Sequence, residues 1–297
     1  MSDSSLRVSY GQAYLAQDRQ SARSAMTVCD PEDPRLAIKG MAAVVADSIW
    51  RNSLAKQAGE TCVRGFIADY FATPDQWDVK YSANRVLCAL NTWLYSQSRT
   101  LVKGSYISSM SALILQGRQG HLFHMGDTLV YRLRAGDTEL LNREHTTFLG
   151  GYRYPSRALG MDPSLDIDYL NLSLRVGDLF LLTTQASKGT LMPSELMQVI
   201  HQHQGDLNAS CDALLQLARE KASRRGYSNA NFCFQLVRIE HLPPVEAPSV
   251  PVESAHTVVA EPEQEKPVLV SVRHLWLWRS ITLLLLILLV VSWFAGR

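Results

Sequence analysis

The sequence predicts an α+β fold of stacked antiparallel β-sheets covered by helices, followed by one C-terminal transmembrane helix. Three observations predict it. Apolar residues recur at helical spacing in three long stretches. Short apolar runs broken by glycines fill the space between them. The final residues form an uncharged apolar run behind a proline-rich segment.

From Ser53 to Tyr70, Leu54, Ala58, Cys62, Phe66 and Tyr70 fall at every fourth position. Ser82 to Arg99 repeats the pattern through Val86, Leu90, Trp93 and Leu94, and residues 207–224 do so through Leu207, Cys211, Leu214, Leu215 and Ala218. Each stripe suits one core-facing side of a helix. The middle of the chain changes period. Ser111–Leu115, His121–Met125 and Thr128–Arg134 are short apolar runs separated by Gly117, Gly120 and Gly126. Leu129, Tyr131 and Leu133 alternate with Val130, Arg132 and Arg134, as in a strand with unequal faces. Residues from Leu165 to Leu174 read as a further strand, and Leu179–Thr184 and Asn231–Ile239 as central ones. This order suggests stacked antiparallel sheets covered by helices, with the globular part spanning residues 1–241.

Lys plus Arg is 29 and Asp plus Glu is 28, a formal net charge of +1, which gives no electrostatic reason to expect nucleic acid as a partner. The five cysteines are scattered without metal-ligand spacing, so reduced thiols in a cytosolic domain are expected. The first residues carry no charged-then-apolar run, so no signal peptide is expected.

Residues 242–272 hold six of the 12 prolines, five glutamates and no aromatic residue. Such a stretch cannot bury a core and reads as an extended tether. In the anchor, residues 273–297, Ser280 to Gly296 are 17 uncharged residues. A helix of that length spans about 25 Å, and extension back to Leu275 fits a hydrocarbon core of ~30 Å. Arg279 can snorkel to the interface, and Trp276, Trp278 and Trp293 suit aromatic belts. Arg273 and Arg279 precede the span and Arg297 follows it, so the positive-inside bias leaves the N-terminal domain cytoplasmic.

Several acids sit at the ends of apolar runs: Asp18 after a possible first strand, Asp47 after MAAVVA, and Asp127 in the turn of HMGDTLVYRL. Carboxylates at strand ends can converge on hard cations such as Mg²⁺ or Mn²⁺. The order of AQD (16–18), VVADS (44–48), HMGDTLVYRL (124–133), LNREHT (141–146), SRALG (156–160), VGDLFLLTTQA (176–186) and NANFCFQLVRI (229–239) resembles the motif series of metal-dependent, type 2C (PPM) protein Ser/Thr phosphatases. The likeness covers about residues 5–240. It looks closest to the phosphatase half of bacterial membrane proteins that join such a domain to a Ser/Thr kinase, and residues 76–99 are similar to that subgroup in particular. The resemblance implies a sandwich of two antiparallel β-sheets flanked by helix pairs, and attack on phosphoserine or phosphothreonine by a hydroxide held between two divalent cations.

It also implies departures. Asp47 stands at the bridging carboxylate, Asp18 at the first-motif acid and Asp127 at a further acidic position. Ser48 replaces a glycine. Gln185-Ala186 stands where the family has Asp-Gly, and Ala230-Asn231 where it has Asp-Asn. Two carboxylates of the dinuclear centre are thereby missing, and Gly11 to Asp18 contains no basic residue to grip phosphate. The remaining acids are expected to hold at most one ion. Three readings follow. The first is a pseudophosphatase, a tethered binding module for a Ser/Thr kinase, a phosphoprotein or a related phosphatase at a bacterial inner membrane. The second is an active Mg²⁺- or Mn²⁺-dependent phosphatase with an atypical site. The third is a structural tail-anchored protein. The chain carries no kinase motifs of its own.

Overall fold

A computed structural model describes residues 5–14, 24–28, 35–50, 52–100, 106–203, 205–226 and 231–244. These belong to a compact unit, residues 1–245, distinct from a second unit at 246–297. The expected span at 273–297 therefore lies outside the described residues. Among the described residues, no helix is long and apolar enough to cross a membrane.

The chain opens with β1 (Arg7–Tyr14), β2 (Ser24–Val28), the short α1 (Leu36–Lys39) and β3 (Met41–Ser48). A helical layer follows: α2 (Ser53–Glu60), a π turn (Thr61–Gly65), α3 (Phe66–Ala72) and α4 (Val79–Thr100). Next come β4 (Ser108–Gln116), β5 (Gln119–Met125), β6 (Leu129–Arg134), β7 (Asp137–Leu140), β8 (Thr146–Leu149), β9 (Tyr152–Pro155), β10 (Asp168–Ser173) and β11 (Leu179–Thr183). The helix pair α5 (Pro193–Gln202) and α6 (Leu207–Arg224) precedes the last strand, β12 (Cys233–His241). One sheet has the order β1-β12-β11-β6-β7 and the other β10-β5-β4-β3-β2; β8 and β9 form a separate hairpin. All pairings are antiparallel, so the predicted class holds for the described domain.

Strand parity builds the layers. Along β11 and β12, Phe180, Leu182, Cys233, Val237 and Ile239 join a core shared with the second sheet and α2–α4, including Phe66, Leu87, Ile114 and Phe123. The alternate residues Leu179, Leu181, Phe234 and Leu236 join a second core with Leu207, Cys211 and Leu214 of α6. The unequal faces read from residues 129–134 are this division: Leu129, Tyr131 and Leu133 face the α5–α6 side, and Val130 faces the other sheet. Helix starts follow local chemistry. Asn52 accepts the Ala55 N–H at 2.8 Å, and Asp206 accepts the Asn208 and Ala209 N–H groups at 2.8 and 3.0 Å. At Gly11, a methyl group would lie 2.2 Å from the Leu207 carbonyl carbon, so only glycine lets α6 lie on β1.

The fourfold stripe of residues 54–70 has a specific cause. On an α-helix, every fourth residue drifts by about 40° around the axis. The π turn at Thr61–Gly65 is wound more widely and takes that drift back, so Ala58, Cys62, Phe66 and Tyr70 are all fully buried. Two expectations need correction. Trp93, on the α4 stripe, is 39% exposed and meets Tyr106 edge-on. Residues 165–167 form no strand. Arg157 pairs with Asp166 and Asp168, and Asn91 bonds the Asp162 carbonyl at 2.9 Å, holding that segment as a loop until β10 begins.

Candidate functional site

The register brings the predicted residues to one pole. Strands β1, β3, β5 and β11 end there, and β4, β6 and β12 begin there. The turn Gly126–Thr128 links the sheets directly at this pole, and Ser111 Oγ of one sheet meets Thr128 Oγ1 at 2.7 Å.

Asp47 is the penultimate residue of β3 and is 6% exposed. Its neighbour Ser48 donates to the Ala55 carbonyl of α2 at 2.9 Å and so faces the helices. By strand parity Asp47 faces the sandwich interior, alongside its cross-strand partner Ser109. Ser109 Oγ accepts the Asp127 N–H at 3.2 Å, which sets Asp127, half-buried, above the interior. Gln185 and Ala186, both half-buried, open the short turn after β11. Asn231, buried, lies two residues before the start of β12. Thr184 Oγ1 donates to the Asn231 carbonyl at 2.9 Å, while the buried Asn231 Nδ2 has no partner among the described residues. Asp18 and Ala230, like Arg279, Trp276, Trp278 and Trp293, lie outside the described residues. Among the described residues, no group of three or more His, Cys, Asp or Glu side chains is placed to hold a metal ion.

Beneath Asp127 lies a polar network that periodicity alone does not reveal. His124 Nε2 lies 3.0 Å from the Gly126 carbonyl and 3.1 Å from the Asn142 amide nitrogen. His124 Nδ1 meets the Ser111 hydroxyl at 2.9 Å. The Gly126 N–H donates to His145 Nδ1 at 3.1 Å, and His145 Nε2 meets Asp168 at 2.8 Å and the Arg157 guanidinium. The His145 N–H returns to the Gly126 carbonyl at 2.7 Å. Two histidines, 4.9 Å apart between ring centroids, thus clamp the residue before Asp127. Burial first, and then the neighbouring His145, push the His124 pKa down to about 4. Burial would raise the Asp168 pKa, but hydrogen bonds and charge from His145 and Arg157 outweigh it and hold that pKa below the ordinary value. His121, on the opposite face of β5, instead meets the Tyr169 hydroxyl at 2.9 Å.

The pole is rimmed by exposed apolar side chains: Tyr14 at the end of β1, Trp50 after β3 and Met192 before α5. A concavity of about 310 Å³, lined by Arg134, Met197, Ile200, His201 and Arg238 among others, lies at the opposite pole. There Arg134 is paired with Asp178 and Arg238 with Glu240.

No family model matches the sequence, and no curated protein matches it. Solved structures do. PppA of Pseudomonas aeruginosa, described as a key regulatory component of T6SS, is 19% identical, with a TM-score of 0.65 over 78% of this chain and 97% of its own. The catalytic domain of the serine/threonine phosphatase PstP, solved with two manganese ions, is 16% identical, with a TM-score of 0.64 over 80% and 100%. The S. agalactiae serine/threonine phosphatase gives 16% identity and a TM-score of 0.65 over 79% and 100%. The chain has the PPM phosphatase fold. In this PPM-type domain the pole that carries Asp47, Asp127, Gln185 and Asn231 is the end where the resemblance placed the family's metal ligands. The hairpin β8–β9, between the LNREHT and SRALG stretches, is the element for which the motif reading made no provision.

Proposed function

We propose that this protein is a pseudophosphatase, a PPM-type domain that binds without hydrolysing and serves as a regulatory module in Ser/Thr phosphosignalling, tethered at the cytoplasmic face of a membrane. The donor set at the pole carries this reading. Where the family resemblance calls for carboxylates, the chain has Gln185 and Ala230. Of the acids that the resemblance matches to the family, Asp47 and Asp127 are those that the described residues bring there. Two divalent cations a few ångströms apart repel strongly and need several carboxylates, one of them bridging. This set does not fit a dinuclear Mg²⁺ or Mn²⁺ centre, so no hydrolytic step is derived through one. The groups that remain, the Asp127 carboxylate and the Gln185 and Asn231 amides, are hydrogen-bonding groups suited to recognition. The likeness to PppA, described as a regulatory component, supports a regulatory role. A Ser/Thr kinase, a phosphoprotein or a related phosphatase is the expected partner.

Phosphate release from a phosphothreonine peptide with Mn²⁺ tests the proposal. The natural chain should release none above the blank. The triple variant Gln185→Asp, Ala186→Gly, Ala230→Asp should bind Mn²⁺ more tightly in titration calorimetry. Manganese-dependent release by the natural chain, abolished in Asp47→Ala, would overturn the proposal and establish the alternative, an active phosphatase with an atypical site.

A further inference from the structure

The hairpin β8–β9 pairs with no other strand among the described residues, and an isolated two-stranded hairpin is marginal in water. Yet its base is held firmly. The His145 N–H bonds Gly126, the Ser156 N–H bonds the His145 carbonyl at 2.8 Å, and Glu144 pairs with Lys188. Gly150 and Gly151, both with positive φ (59° and 80°), close a tight two-residue turn. Beside that turn Phe148 is 74% exposed and Leu149 is 73% exposed, and Tyr154 is partly exposed.

Phe148 and Leu149 are consecutive strand residues, so their side chains leave opposite faces of the ribbon. A flat protein surface covers one face of a hairpin, whereas an apolar phase surrounds a tip from both sides. The apolar area offered, on the order of 300 Å² for these two side chains, is also well below the roughly 800 Å² per partner of a stable specific dimer. Arg153 lies in β9 and Arg143 precedes β8; Arg157 is taken up by Asp166 and Asp168, and Glu144 by Lys188. Apolar and aromatic residues flanked by arginines suit the interface of an anionic bilayer.

We propose that the β8–β9 tip is a membrane-docking element that inserts Phe148 and Leu149 into an anionic lipid surface. This rests on the proposed C-terminal anchor, which would keep such a surface within reach. Because the base of the hairpin grips Gly126, insertion would couple the lipid surface mechanically to the Asp127 turn.

The test reconstitutes the full chain in phosphatidylcholine vesicles with or without phosphatidylglycerol. An environment-sensitive dye is placed at Thr147→Cys in a Cys29→Ser, Cys88→Ser background. With phosphatidylglycerol present, the dye should shift to the blue and lose emission to nitroxide-bearing lipids. Phe148→Ser with Leu149→Ser should return it to the aqueous spectrum. A dye that stays in water on chains that float with the vesicles would overturn the docking tip and leave the anchor intact. A blue-shifted dye untouched by the lipid quencher would assign the tip to a second copy and overturn the proposal. A chain that does not float at all would overturn both tip and anchor.

Discussion

Acidification should destabilise the domain through His124, by an amount the structure allows to be worked out. The ring is 1% exposed, and its pKa falls from 6.5 to about 4 on folding. Below pH 6.5 the unfolded chain therefore takes up a proton that the folded chain refuses. Stability is fully present above about pH 6.5 and is lost as pH falls toward 4. The complete shift corresponds to 2.5 pKa units, or about 3 kcal/mol. At pH 5 the unfolded state is favoured by the ratio of (1 + 10^1.5) to (1 + 10^−1), close to thirty, or about 2 kcal/mol. Urea unfolding of the 1–245 unit between pH 8 and pH 5, followed by near-ultraviolet circular dichroism, measures the change. His124→Gln keeps an amide that can donate to the Gly126 carbonyl, but it cannot titrate. Its stability should be lower at pH 8, and its loss on acidification should be smaller by about 2 kcal/mol. Identical pH dependence in the two proteins would refute the reasoning, because it would mean that His124 takes up its proton equally well in both states.

Other perturbations test the architecture. Gly11→Ala should cost about 3 kcal/mol or more in denaturant unfolding, because the new methyl meets α6 backbone that cannot yield cheaply. Asn91→Ala should cost about 2–3 kcal/mol: it strands the buried Gly160 N–H, now 2.8 Å from the Asn91 side chain, and the Asp162 carbonyl. Ala135 holds φ 52° beside Gly136 in the β6–β7 turn, so Ala135→Asn should raise stability by about 0.5–1 kcal/mol and with it the melting temperature.

Much of the fold is legible in the sequence because its determinants are local. The fourfold stripe from Leu54 to Tyr70 marks a helix, and its exact period of four, not 3.6, is itself the trace of the π turn. Alternation from Leu129 to Arg134 reports two different neighbours on the two faces of one strand. The Gly150-Gly151 pair between Thr-Thr-Phe-Leu and Tyr-Arg-Tyr is the local signal for the hairpin, hidden because the motifs on either side claim the eye. The clamp on Gly126 is legible only in three dimensions. Ser111 of β4, Asn142 and His145 of the β7–β8 loop and Asp168 of β10 meet around it from three separate elements, and no spacing along the chain encodes that meeting. Asp47 and Asp127 reach one pole for the same reason, through register between β3 and β4 and a hydroxyl on Ser109.

The placement of β12 has a mechanical consequence. This strand starts at the site pole, runs between β1 and β11, and delivers the chain at the far pole. Tension entering at Pro244 would pull β12 along its own axis. Its ladder hydrogen bonds lie across that axis, so they would be loaded in shear and together, not peeled one at a time. A domain held by its C-terminus in this way resists rupture better than one held at an edge strand, and the pull reaches the pole of Asp47 last.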